Sequence, residues 1–258
     1  MLRPRIIPCL LIHNGGLVKT TQFGKPKYVG DPINAVKIFN EKEVDELMVL
    51  DIDATAKGHE PNYELIKSLA VECRMPLCYG GGIKTADVAE KIISLGVEKV
   101  SLSSAAVSSP HVISECAKRI GNQSVVVVID IKKSGLFKRN DIFTHNGTRK
   151  TNTPIVEFLD KIQSLGAGEI VINSIDRDGV MKGYDIDLIK QVHANIKIPL
   201  TVLGGAGSLN DLEELISEFG IIGAAAGSLF VFKGKYRAVL INYPNEEEKN
   251  RLFSSIKI

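Results

Sequence analysis

The sequence predicts an α/β fold: a single (β/α)8 TIM barrel built from two half-barrel repeats. Three observations carry this. Short apolar runs alternate with helix-period segments along the chain. There are eight such runs in 258 residues, and one barrel commonly takes about 250. The second half of the chain also repeats the first.

The predicted strands are Arg5–Ile12, Glu46–Asp51, Leu77–Gly80, Lys99–Leu102, Val125–Asp130, Glu169–Asn173, Leu200–Leu203 and Gly223–Ala226. Most are apolar on both faces, as strands of a parallel sheet covered by helices should be. Amphipathic stretches such as Ala86–Leu95 and Leu209–Phe219 follow them. The repeat is visible in Gly81-Gly82-Ile83, which matches Gly205-Ala206-Gly207 at an offset of 124 positions. Ile52-Asp53…Lys57-Gly58 likewise matches Ile175-Asp176…Lys182-Gly183. We expect one domain over residues 1–258, with half-barrels of about 1–123 and 124–258. Two segments are long for βα loops, about Ile12–Gly30 and about Lys132–Thr153. Loops of that length are often lids.

Composition excludes several classes. A net charge of +2 gives no global attraction to nucleic acid or to anionic membranes. No apolar run approaches the ~18 residues of a membrane span, and the N-terminus goes straight into a short strand. The four cysteines, Cys9, Cys73, Cys78 and Cys116, form no CxxC pair and read as reduced thiols. The expectation is a cytoplasmic protein. The five histidines are scattered, with no metal-ligand spacing, and neither a P-loop nor a Rossmann glycine fingerprint occurs. No metal and no cofactor are expected.

Three constellations carry chemistry. The first is a repeated pair of glycine loops. Gly80-Gly81-Gly82 follows the third strand, and Ser101, Ser103 and Ser104 end the fourth. Gly204-Gly205-Ala206-Gly207 follows the seventh strand, and Gly227-Ser228 follows the eighth and can open a helix. Glycine lets backbone N–H groups approach an anion, and loops after strands seven and eight recur as phosphate sites in this fold. Two such sites suit an elongated ligand with a phosphate at each end. The bland alternative is that these glycines only make tight turns.

The second is a set of carboxylates at strand ends, Asp51, Asp130 and Asp178, on the face where barrel enzymes do chemistry. Asp130 can act as a general acid or base, and Asp178-Gly179 can bind a ligand hydroxyl or amide. Each could instead cap a turn, and Asp130 could pair with Lys132 or Lys19. The position of the first half that corresponds to Asp130 holds Leu11. The third is a set of charges at strand starts: Arg5, Glu46, Lys99 and Glu169. They predict an inward ring at the bottom of the barrel. By pattern alone the ring reads as a plug, with a gate for a docked protein as the alternative.

Over nearly its whole length the chain resembles the cyclase subunit of imidazole glycerol phosphate synthase, the HisF family. The resemblance rests on Arg5-Ile6-Ile7-Pro8-Cys9-Leu10, Gly80-Gly81-Gly82-Ile83, Ser174-Ile175-Asp176-Arg177-Asp178-Gly179 and Gly204-Gly205-Ala206-Gly207. It implies a heterodimer with a glutaminase subunit docked at the barrel bottom. Ammonia released there would pass through the barrel to the top. The ring of Arg5, Glu46, Lys99 and Glu169 would be the ammonia gate. Gly82, Ser101 and Ser104, and Gly205, Gly227 and Ser228, would hold phosphates, with Lys19 as a further phosphate contact.

The resemblance also implies a ring-closing site with two acids, one being Asp130. Leu11 stands at the other, so the two-acid mechanism is expected to fail. His13-Asn14-Gly15-Gly16, Ser103-Ser104 and Phe230–Tyr236 depart from the family pattern as well. Together these resemble a paralogous branch that serves an ATP-dependent amidotransferase, which turns an acetamido group of a surface sugar into an acetamidino group. The expected function is ammonia delivery for that amidination, in lipopolysaccharide or capsule synthesis. The alternative is a true cyclase (a lyase of histidine biosynthesis) using Asp130 and a substitute acid such as Asp51. It would make imidazole glycerol phosphate and AICAR from PRFAR and ammonia. A barrel isomerase of the same pathway is the weaker third reading.

Overall fold

The computed structural model describes residues 3–254; the ends of the expected domain, residues 1–2 and 255–258, lie outside the described residues. Eight parallel strands form the barrel: β1 (Arg5–His13), β2 (Leu47–Asp51), β3 (Leu77–Gly80), β4 (Lys99–Leu102), β5 (Val125–Ser134), β6 (Glu169–Ser174), β7 (Leu200–Leu203) and β8 (Gly223–Ala226). They pair in sequence order, and the β5–β6 and β8–β1 pairings complete the closed ring. Eight helices alternate with them: α1 (Pro32–Glu41), α2 (Tyr63–Glu72), α3 (Ala86–Ser94), α4 (His111–Ile120), α5 (Ile155–Ser164), α6 (Ile186–His193), α7 (Leu209–Phe219) and α8 (Glu246–Ser254).

Local chemistry sets the helix starts. Asp31 accepts from the Asn34 backbone N–H at 2.8 Å ahead of Pro32. Ser208 and Asp211 form a reciprocal capping box on α7. Among the described residues no helix is long and apolar enough to cross a membrane.

The hydrophobic core lies in two layers, as strands buried on both faces require. The larger one fills the space between sheet and helices, with Phe39, Leu69, Ile92, Phe158 and Leu215 at most 1% exposed. The smaller lies inside the barrel. Ile7, Cys9, Met48, Cys78, Val126, Val128, Val171, Leu203 and Ala225 pack there, with Leu11 and Leu50 against them. Cys9 and Cys78 are thus interior residues, and all four thiols are unpaired. Burial pushes the Cys9 thiol up to about 11, so it stays protonated and inert.

The two segments expected as lid loops are β-ribbons instead. β1 runs on to His13, turns at Asn14 and Gly15 and returns as Gly16–Lys19, pairing Leu11 with Val18 and His13 with Gly16. A further strand, Lys27–Gly30, adds to it. Asn14 and Gly15 both take positive φ, 49° and 76°, the two-residue turn that matches strand twist. Likewise β5 continues to Ser134 and pairs antiparallel with Arg139–Thr144. The return strand Gly16–Lys19 is buried from Leu17 to Lys19, whereas Arg139–Thr144 is only partly covered.

Candidate functional site

A cavity of about 280 Å³ opens at the C-terminal end of the barrel strands. It gathers most of the top-face residues singled out in the sequence; Gly207 of the second glycine loop is not among its lining. Leu11, Lys19, Asp51, Gly82, Ser101, Ser103, Ser104, Asp130, Asp178, Gly179, Gly204, Gly205, Gly227 and Ser228 all line it. Arg5, Glu46, Lys99 and Glu169 do not; they lie at the opposite end of the strands.

Asp130 sits on β5 and accepts hydrogen bonds from Asn173 Nδ2 at 2.8 Å and Ser103 Oγ at 3.4 Å. Burial raises its carboxyl to about 6, against the two hydrogen bonds, which favour the ion; the nearby Asp178 adds to the rise. Its partners are therefore neither Lys132 nor Lys19. Lys132 lies over the Phe143 ring. The Lys19 ammonium is buried and donates to the Cys9 carbonyl at 2.6 Å, beside Gly227. Burial lowers its pKa, while the charge of Asp178 resists.

Leu11 lines the same cavity on β1. In the ring order β1 and β5 are four strands apart, so the two residues face across the barrel. Leu11 pairs in register with Leu50, and Asp130 with Asn173. At this level one wall of the cavity presents two leucines and the other the acid and its amide partner.

The remaining acids serve local structure. Asp51 Oδ1 accepts from the backbone N–H groups of Asp53 and Ala54 at 2.9 and 3.2 Å, which ties it to a turn. Asp178 Oδ2 accepts from Thr20 Oγ1 at 2.7 Å and Phe23 N at 3.2 Å, clamping the first ribbon over the cavity.

The glycine loops repeat in three dimensions. Gly81 and Gly205 take φ of 122° and 119°, and a Cβ at either would collide with backbone carbonyl oxygens, of Asp51 and Gly183. A short helix follows each half's last strand, Ser104–Ser108 after β4 and Ser228–Val231 after β8. Gly82 N–H is already engaged, donating to Thr55 Oγ1 at 3.3 Å.

At the bottom the four charges close into a ring. Lys99 Nζ contacts Glu46 Oε1 at 2.8 Å and Glu169 Oε2 at 2.9 Å. Arg5 bridges the same two carboxylates, through a short contact to Glu46 and one of 2.8 Å to Glu169. Burial alone would lower Lys99; Glu169 and Glu46 outweigh it and hold its pKa above the ordinary value. Glu169 is held low by Arg5 and Lys99 against the opposing effect of burial.

Several neighbours escaped the sequence reading. Asn173 orients Asp130; it lies two steps beyond Val171 on the inward row of β6, so period-two alternation points to it. His13 Nδ1 lies 2.7 Å from Asp53 Oδ1 at the cavity rim, and Asp53 also accepts from Asn14 N and contacts Lys57. No sequence spacing announced that pair. No group of three or more His, Cys, Asp or Glu is placed to hold a metal ion among the described residues.

Comparison with known proteins agrees with this geometry. The family described as histidine biosynthesis protein matches residues 5–237. A Leptospira borgpetersenii protein named "Putative imidazole glycerol phosphate synthase subunit HisF" is 60% identical over 98% of this chain and 100% of its own length. A Pseudomonas aeruginosa protein named "Putative imidazole glycerol phosphate synthase subunit hisF2" is 54% identical over 95% of this chain and 97% of its own. An Alkaliphilus metalliredigens protein named "Imidazole glycerol phosphate synthase subunit HisF" is 38% identical over 89% of this chain and 91% of its own.

Proposed function

This chain belongs to the histidine biosynthesis protein family, as a HisF-like barrel subunit of imidazole glycerol phosphate synthase type. From that premise we propose that it delivers ammonia without closing an imidazole ring. A glutaminase subunit docks at the bottom of the barrel and releases ammonia at the charge ring. The ammonia crosses the apolar interior as the neutral molecule, since an ammonium ion would lose its hydration there. It leaves at the top for an ATP-dependent amidotransferase that converts an acetamido sugar to an acetamidino sugar in surface polysaccharide synthesis. The unpaired thiols suit a cytoplasmic setting.

One observation carries this: Leu11, and not a second acid, faces Asp130 across the cavity. A leucine neither takes nor gives a proton, and a positioned acid–base group typically contributes about 10²–10⁴-fold. The ring at the bottom does not depend on that position. The higher identity to the two putative subunits than to the 38% relative supports a separate branch.

A second reading, a working cyclase, draws on Asp130, whose pKa near 6 suits proton transfer at neutral pH. Its proposed second acid, Asp51, lines the cavity and accepts from the Asp53 and Ala54 N–H groups through one oxygen, Oδ1.

Reconstitution tests the proposal. The barrel, its glutaminase and the sugar amidotransferase are combined with glutamine, ATP and the acetamido sugar. Amidination should require the barrel. Equal amidination from glutamine without the barrel overturns the reading.

A further inference from the structure

We infer that Thr201 is a positioning residue of the charge ring, holding Glu169 in place while Arg5 swings aside to admit ammonia. This rests on the ammonia-delivery reading above.

Thr201 lies on β7 and is fully buried. Its hydroxyl donates to Glu169 Oε1 at 2.6 Å. The same oxygen accepts from Arg5 Nη2 at 2.8 Å, and that nitrogen lies 3.4 Å from the Thr201 hydroxyl. Glu46 is held differently. The side-chain hydrogen bonds it accepts among the described residues come from Arg5 and Lys99. The ring is therefore asymmetric: one carboxylate is fastened to the barrel wall, and the other is held by long, mobile cations.

Arg5 is the natural moving part. Its side chain is 27% exposed, against 19% for Lys99 and 4% and 6% for the two glutamates. When Arg5 leaves, Glu169 loses its guanidinium donors. A buried carboxylate oxygen without a donor is costly. The Thr201 hydroxyl stays on Oε1 and Lys99 stays on Oε2, so Glu169 keeps a donor on each oxygen. The opening is then limited to the Arg5 side of the ring.

The space for this hydroxyl is built in. Thr201 pairs in register with Gly223 of β8, which in turn pairs with Arg5. A Cβ at position 223 would collide with Thr201 Oγ1. Glycine at that point lets the hydroxyl lie between Glu169 and Arg5.

The test follows ¹⁵N from amide-labelled glutamine in the reconstituted three-protein system. The readout is the ratio of label in the acetamidino sugar to glutamate released. Thr201→Val keeps the shape and removes the donor, and the ratio should fall about tenfold, the effect of one hydrogen bond to a charged group. Thr201→Ser should restore it. Gly223→Ala, which displaces the hydroxyl without removing it, should reproduce the fall. A wild-type ratio in a folded Thr201→Val or Gly223→Ala barrel overturns the inference alone. Absence of label transfer in the wild type overturns the delivery reading and the inference with it.

Discussion

Leu11 and Asp130 hold corresponding places on opposite strands of one barrel, and their register partners repeat the contrast. Leu11 pairs with Leu50 and Asp130 with Asn173. The difference between the halves is thus a difference at one level of one cavity, two leucines on the β1–β2 side and an acid with its amide partner on the β5–β6 side.

The acid wall should be measurable as a stability penalty. The Asp130 carboxyl has a pKa of about 6 in the folded chain, raised from 3.8 mainly by burial. Below about pH 3.8 both folded and unfolded chains hold the proton, and no penalty exists. Between the two values the unfolded chain ionises first, so rising pH destabilises the fold, and above 6 the penalty is complete. Discounted for the carboxylate's partial access to the cavity, Asp130→Asn should stabilise by about 1–2 kcal/mol at pH 7.5. Near pH 4 it should have little effect. Denaturant melts at the two pH values check this; equal effects at both would contradict it.

The ring should behave as a coupled unit. Glu46→Ala leaves Arg5 and Lys99 competing for one carboxylate and should destabilise by about 2–4 kcal/mol. Adding Lys99→Ala should recover part of that loss, giving a coupling of about 1–3 kcal/mol in a double-mutant cycle. Additive losses would show that the ring contacts carry no joint energy.

The first ribbon is clamped to the barrel by the Thr20 hydroxyl on Asp178. Thr20→Val removes this donor to a half-buried carboxylate. Tryptic cleavage after the exposed Lys27 should quicken about fivefold, for a loss near 1 kcal/mol. The melting temperature should move little. An unchanged cleavage rate would place the clamp elsewhere.

Two glycines with positive φ should differ in cost. Gly234→Ala meets open space at φ 74° and pays about 1–2 kcal/mol for backbone strain alone. Gly205→Ala adds a collision with the Gly183 carbonyl and should cost more than that. Urea melts of both variants compare them directly, and equal losses would refute the packing argument.

Much of this was legible in the chain. All eight strands follow from apolar runs, because strands buried on both faces leave little choice of residue. The cavity's glycines were found because their loops recur at an offset of 124 positions, as Gly81 and Gly205 do, its acids because they end strands, and Lys19 through the family resemblance. The ribbons were missed because their added strands are short and rich in Gly, Lys, Asn and Thr, as Gly16–Lys19 and Arg139–Thr144 are, which reads as loop. His13–Asp53 and Thr201–Glu169 were missed for another reason. Each joins residues 40 and 32 positions apart through side-chain geometry, and no periodicity encodes that.

In the proposed function one barrel keeps the ammonia path and has lost ring closure at Leu11. The most direct test is turnover of PRFAR by the purified barrel with ammonium supplied in excess, at a pH where free ammonia is abundant. No imidazole glycerol phosphate should form above background. Turnover matching that of a cyclase with both acids would contradict it.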